Sequence, residues 1–143
     1  MRSTTRDTLD AQVSRFNELL AAGEILLTPE FLDRLKVTRQ ALSKAVLDNR
    51  IFFLEVDGVK GCPAFYADGR YNRGQLEDIT RLLGDLSGGS KWVFFTTPKG
   101  SLARAGRVAR DGQEEGKPRT PLQALADGDI DRVKATATAY AER

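Results

Sequence analysis

The sequence predicts a mainly α-helical fold with a small β-hairpin, an α+β chain, on three observations. Apolar residues recur at helical spacing through most of the length. A single stretch, Ile51 to Val56, is rich in β-formers and runs into Asp57-Gly58, a strong hairpin signal. Threonine caps and glycine stops separate the segments. At 143 residues the chain has room for one ordinary domain, or for a small domain with appended segments.

In chain order, Thr8 to Ala22 sets Leu9, Val13, Phe16, Leu19 and Leu20 at helical spacing, with Gly23 as the stop. This amphipathic helix either packs on a core or forms an oligomerising arm. Thr28-Pro29-Glu30 supplies an N-cap, a proline at the first helical position and an acid in the first turn. A short helix is therefore predicted from Pro29 to Lys36, with Phe31, Leu32 and Leu35 as its apolar stripe. Thr38 is the next cap, and Arg39 to Asn49, free of glycine and proline, reads as a second helix.

Ile51 to Val56 predicts a strand, and Ala64-Phe65-Tyr66 resumes strand character after Gly61-Cys62-Pro63, with a bulge placed at Gly61. Arg73 to Leu83 predicts a helix with Leu76, Ile79, Leu82 and Leu83 inward, ended by Gly84. Leu86 to Gly89 reads as a loop. Trp92 to Phe95 is an apolar segment, helical turn or strand, closed by Pro98 and Gly100. Ala103 to Arg119, polar and charged, reads as a loop or linker. Thr120-Pro121 repeats the threonine-proline helix start, and a last helix is predicted from Ile130 to Arg143. The chain thus divides into an N-terminal helix (1–23), a central unit (24–84), a tryptophan segment with basic loop (85–119) and a C-terminal helical segment (120–143).

Composition excludes several classes of function. With 41% apolar and 29% charged residues, no run approaches the ~20 apolar residues of a bilayer span, so no membrane association is expected. Met1 to Gln12 has no apolar segment behind its charge, and a cytoplasmic location is expected. Histidine is absent and Cys62 is the only cysteine, which removes the commonest general base, Cys/His zinc sites and intrachain disulfides. No catalytic residue, metal or cofactor is expected, and the chain does not read as an enzyme. Cys62 reads as a small buried side chain. Asp127, Asp129 and Asp131 read as acids favoured by the dipole at a helix N-terminus.

The constellation from Thr28 to Val46 is different in kind. A helix-turn-helix needs two short helices, a tight turn, and a second helix whose outer face enters the major groove. Leu32, Val37, Leu42 and Ala45 stand where such a motif buries apolar side chains, and Lys36 stands where it often has glycine. At about 100° per residue, Leu42, Ala45 and Val46 share one helix face and Gln40, Ser43 and Lys44 the other, with Arg39 at the N-terminal edge. Arginine pairs with guanine and glutamine with adenine, while serine and lysine reach base edges or phosphates. Leu47 also points to that side, and is expected to pack beneath the hairpin. Two helices followed directly by a hairpin are the order of a winged helix-turn-helix. Thr38, Arg39, Gln40, Ser43, Lys44 and Arg50 are its candidate DNA-binding residues, with Lys60 at the wing tip for phosphate.

Net charge is only +2, and Glu24 to Arg70 holds seven acidic and seven basic residues, so double-stranded DNA binding must rest on local faces, a second copy, or the basic stretch Lys99, Arg104, Arg107 and Arg110. A homodimer or higher oligomer is expected on the same ground.

Thr38-Arg39-Gln40-Ala41-Leu42-Ser43-Lys44 followed by a short wing resembles bacterial MerR-like and excisionase-like DNA-binding modules. Further on, Lys91-Trp92-Val93-Phe94, Thr97-Pro98 and Leu102 precede Arg119 to Asp129 and then Val133. That order resembles the toxin-binding domain of the Xre/MbcA/ParS antitoxin family, over roughly the last third of the chain. The resemblance implies a small helical domain built with Trp92, Pro98, Thr120, Pro121, Leu122 and Leu125, and a terminal helix with Ile130 and Val133 facing a RES-domain toxin. It also implies a DNA-binding half that represses its own operon. Three functions are accordingly expected: a sequence-specific DNA-binding regulator, an antitoxin or adaptor that captures a protein through its C-terminal third, or an excisionase-like factor that bends DNA.

Overall fold

The computed structural model describes residues 3–103 and 117–142, with side chains from Thr8 onward. The first part of the chain runs α1 (Ser3–Ala21), β1 (Ile25–Leu27), α2 (Thr28–Leu35), α3 (Arg39–Leu47), β2 (Leu54–Val56) and β3 (Val59–Pro63). A 3-10 turn at Ala64–Ala67 leads into α4 (Arg73–Leu83) and α5 (Gly88–Thr96). A second 3-10 turn, Gly100–Leu102, is followed after the undescribed residues by α6 (Pro121–Ala126) and α7 (Ile130–Ala141). The fold is mainly α with a small antiparallel sheet, as the sequence predicts. None of the described helices is long and apolar enough to cross a membrane.

The turn between α2 and α3 is built by Lys36, which caps α2 in the left-handed conformation at φ 59° and donates its N–H to the Leu32 carbonyl at 2.8 Å. That conformation is why the motif prefers glycine there, and a lysine holds it at a cost of about 1 kcal/mol. Thr38 then caps α3, its Oγ1 accepting from the Ala41 N–H at 3.0 Å. Thr28 does not cap α2; Leu27 occupies that position without a side-chain bond, and the Thr28 hydroxyl instead bonds the Cys62 thiol.

Asp57 and Gly58, both at positive φ (52° and 81°), form the two-residue turn that joins β2 to β3. β3 is the central strand, pairing Glu55 with Lys60 on one side and Leu26 with Cys62 on the other. Sequence reasoning missed β1, because three residues carry no periodicity to detect. Gly61 is in register with both Leu54 and Leu27, so it is not a bulge. Its lack of a side chain serves close packing: a Cβ there would collide with Ile25 and lie 3.0 Å from Cζ of Phe16. The strand does not resume at Ala64–Tyr66. The 3-10 turn sends Phe65 and Tyr66 into the core together, which the alternation of a strand forbids. Ile51 and Phe52 are likewise both buried, and β2 starts only at Leu54.

In α4 the inward residues are Leu76, Ile79 and Leu83, while Leu82 is exposed and Thr80 takes the fourth inward place. Its hydroxyl donates to the Leu76 carbonyl at 2.8 Å and lies 2.5 Å from the Tyr66 hydroxyl. Trp92 to Phe95 is helical: Ser87 caps α5 by accepting from the Ser90 N–H at 3.1 Å, so the helix begins inside the expected loop. Gly88 is obligatory here, since a Cβ would run into the Phe53 carbonyl group at the root of the hairpin.

The core is one cluster. Phe31, Leu42, Phe52 and Phe65 from the central unit join Leu76 and Ile79 of α4, Phe94 and Phe95 of α5, Leu125 of α6 and Val133 of α7. Phe95 stacks on Phe52 at 6.0 Å, and Trp92 on Phe65 at 6.0 Å. α7 lies along α4, so the C-terminal helices cover the same apolar interior as the hairpin and α3.

Thr120 opens α6 with a capping box, exchanging bonds with Gln123 in both directions. Just before it, Arg119 is buried: Nε donates to the Leu102 carbonyl at 2.7 Å, and the two terminal nitrogens reach Asp127 at 2.9 Å and Asp129 at 2.6 Å. These two acids are therefore tied to a buried guanidinium, and only Asp131 sits in the first turn of α7 as a free dipole partner would. Of the expected loop from Ala103 to Arg119, residues 104–116, with Arg104, Arg107 and Arg110, lie outside the described residues; at its far end the Arg119 carbonyl accepts from the Lys99 N–H at 3.0 Å.

Candidate nucleic-acid interface

α3 is anchored by Leu42 and Ala45, with Val46 half-buried at its edge. The opposite face is solvent-exposed and carries Gln40, Ser43 and Lys44, with Thr38 and Arg39 at its start. The cap formed by Thr38 also fixes where α3 begins, and hence the direction in which Arg39 and Gln40 leave it. Thr38 thus acts on the backbone of the site.

A cleft of about 270 Å³ separates α3 from the hairpin. Arg39 and Ser43 line it from the helix and Lys60 from β3, over a floor of Leu42, Val46 and Phe53. Lys60 is not at the wing tip, which is Asp57-Gly58; it sits one residue into β3, with Nζ 4.8 Å from the centre of the Phe53 ring. The structure so brings Arg39, Ser43 and Lys60 around one opening and leaves Gln40 and Lys44 on the adjoining outer surface. Sequence spacing alone did not foresee that Lys60 turns back toward the helix.

Arg50 stands apart from this group. It is half-buried behind the C-terminus of α3, paired with Asp48 at 3.3 Å and with Glu77 of α4 at 3.7 Å, so it fastens α3 to α4. Leu47 also departs from expectation: it does not pack beneath the hairpin but is 83% exposed on the outer face of α3.

The ion pairs sort the balanced charges of this unit unevenly. Arg34 is held by Glu30 at 2.8 Å, Arg70 by Asp68 at 2.7 Å, Arg50 as above, and Lys44 more loosely by Asp48 at 3.6 Å. Arg39 and Lys60 have no ion pair among the described residues. Lys36 is likewise without an ion pair among the described residues, so two of the three such cations from Glu24 to Arg70, Arg39 and Lys60, line the cleft, Lys60 with Glu55 as its cross-strand neighbour. Cys62 also lines it, and burial pushes its thiol up to about 11, against smaller opposing effects of the Thr28 hydrogen bond and the Lys60 charge, which disfavours the thiolate.

Of the residues expected to bind a protein partner, three lie in the chain's own interior and four, Trp92, Thr120, Leu122 and Ile130, are half-buried. Pro121, Leu125 and Val133 are buried, Leu122 and Ile130 pack half-buried against the core, Thr120 caps α6, and Trp92 stacks on Phe65. What α7 turns outward is Asp131, Lys134, Ala135, Thr138 and Ala139. No protein-family model matches the chain, and no curated protein and no solved structure matches it either.

Proposed function

We propose that the chain is a sequence-specific DNA-binding regulator acting in the cytoplasm, with α3 as its recognition helix and the β2–β3 hairpin as its wing. The observation that carries the reading is the cleft where Arg39 and Lys60, without carboxylate partners among the described residues, converge beside the exposed polar face of α3. In this reading Gln40, Ser43 and Lys44 meet base edges in the major groove, while Arg39 and Lys60 flank the helix where the phosphate backbone passes. Few phosphates are neutralised by one copy, so binding is completed by self-association. The long α1 suits that role: Phe16 is its buried anchor, and Leu9, 41% exposed, leaves the apolar row open toward the N-terminus.

The test is fluorescence anisotropy of the full chain on duplex DNA from upstream of its own gene, titrated with salt. Log affinity should fall linearly with log salt, and Lys60→Ala should lower the slope by about 1. Arg39→Ala and Lys44→Ala should each weaken binding at least tenfold. Unchanged affinity in both variants would exclude α3 as the reading element. An antitoxin-type partner, as the C-terminal resemblance implies, would have to meet the outward face of α7, and Lys134→Glu or Ala139→Arg should then abolish its co-purification while DNA binding persists.

A further inference from the structure

We infer that Leu47 reads sequence, its side chain meeting the 5-methyl group of a thymine in the major groove. The inference rests on the DNA-binding reading above and adds a contact that none of the polar residues of α3 can make.

Leu47 is 83% exposed, against 39–48% for the other exposed large apolar side chains among the described residues. Its place on the helix is as informative as its exposure. At about 100° per residue Leu47 falls within about 20° of Gln40, between Ser43 and Lys44 and diametrically opposite the buried Leu42 and Ala45. The outermost line of α3 is therefore Gln40 and Leu47, one polar and one apolar, with the wing cleft to the Arg39 and Ser43 side. A leucine at that position contributes nothing to the core, and its apolar surface finds cover only when something is laid against the helix.

The surroundings select what that something is. Ser43, Lys44 and Gln40 are hydrogen-bonding groups suited to base edges and phosphates, a poor lining for a protein's apolar anchor. Thymine is the one standard base that adds a methyl group to the major-groove edge, and apolar side chains recognise it by contact. Gln40 and Leu47 are separated by about 10 Å along the helix, some three base-pair steps at about 3.4 Å each. The thymine should accordingly lie about three base pairs from the position that Gln40 reads.

The 143-residue chain is used to select duplexes from a random-sequence pool, and each thymine of the enriched duplex is then replaced in turn by deoxyuridine. That replacement keeps every hydrogen-bonding group and removes one methyl. One substitution should weaken binding of the unaltered protein roughly fourfold, the effect of one methyl-sized group withdrawn from contact. Leu47→Ala should bind thymine and uracil duplexes equally, with an unchanged salt slope and unchanged thermal unfolding. Indifference of the unaltered protein to every uracil substitution, or a uracil penalty that persists in Leu47→Ala, overturns the inference. So does a change in sedimentation size in Leu47→Ala with the uracil penalty intact, which assigns the residue to a protein contact. Failure of the pool to enrich any sequence sinks the DNA-binding reading itself, and this inference with it.

Discussion

Replacing Arg119 by methionine keeps most of the stem volume and removes the guanidinium on which three segments converge. Its side chain is 8% exposed, and it links the Leu102 carbonyl to Asp127 and Asp129, whose side chains are 35% and 29% exposed. Removing one member of a buried ion pair costs about 3–5 kcal/mol when the survivor stays buried. Here both carboxylates can be rehydrated, so the larger loss is the charged hydrogen bond to the Leu102 carbonyl, about 1–3 kcal/mol. Leu102 itself is fully buried, and its carbonyl has little water to turn to. Together these give about 2–3 kcal/mol for Arg119→Met, or a fall in Tm of about 7–10 °C in a chain of this size. Urea unfolding followed by circular dichroism measures it, and the slope with denaturant should stay constant. Arg119→Lys keeps the charge but cannot bridge all three acceptors, so it should lose about half as much. A loss below 1 kcal/mol for Arg119→Met would refute the reasoning, and so would identical losses for the two variants.

Three further outcomes follow from the packing and the pKa of the buried thiol. Gly88→Ala drives a Cβ into the Phe53 carbonyl group, a backbone atom that cannot yield, and should cost about 1–3 kcal/mol in thermal unfolding, whereas Gly89→Ala, whose Cβ would meet only the Ser87 Oγ at an ordinary 3.9 Å, should be near neutral. Thr38→Ala removes the acceptor for the Ala41 N–H and should destabilise by about 1 kcal/mol, with Thr38→Ser restoring it. Cys62, raised to about 11 from an ordinary 9.0, stays protonated in the folded chain after it would ionise in the unfolded one. Its contribution is thus complete below pH 9 and is lost as pH rises from 9 to 11; Cys62→Ala should unfold with a shallower alkaline dependence, and a thiol reagent should label the native protein only slowly below that range.

The helices were readable because caps and stops are local chemistry. Thr38 and Thr120, read as caps, each bond a backbone N–H three residues on, and α4 has the bounds that its periodicity predicts, whereas the Ser87 cap of α5 went unread inside the expected loop. What escaped was decided by tertiary contact. β1 exists only because β3 pairs with it; Gly61 looks like a bulge until Ile25 and Phe16 are seen against it; Phe65 and Tyr66 favour a strand but are drawn together into one core. The candidate site divides the same way. Periodicity placed Gln40, Ser43 and Lys44 on one face, but whether Arg50 faces outward depends on Glu77, twenty-seven residues away in sequence. Periodicity placed Leu47 on that face too, and only the expectation that an apolar side chain must find cover beneath the hairpin hid its exposure.

α7 lies on α4, and Val133 and Ala137, both fully buried, belong to the cluster that also holds Leu42 and Phe52. The recognition helix consequently has no private foundation. A fragment cut after Leu83 would leave Leu76 and Ile79 facing water, so deleting the last helices probes solubility before it probes any partner. Grafting the motif onto another protein would have to carry the C-terminal helices along, and surface substitutions, not truncations, are the means of separating what the two ends of this chain do.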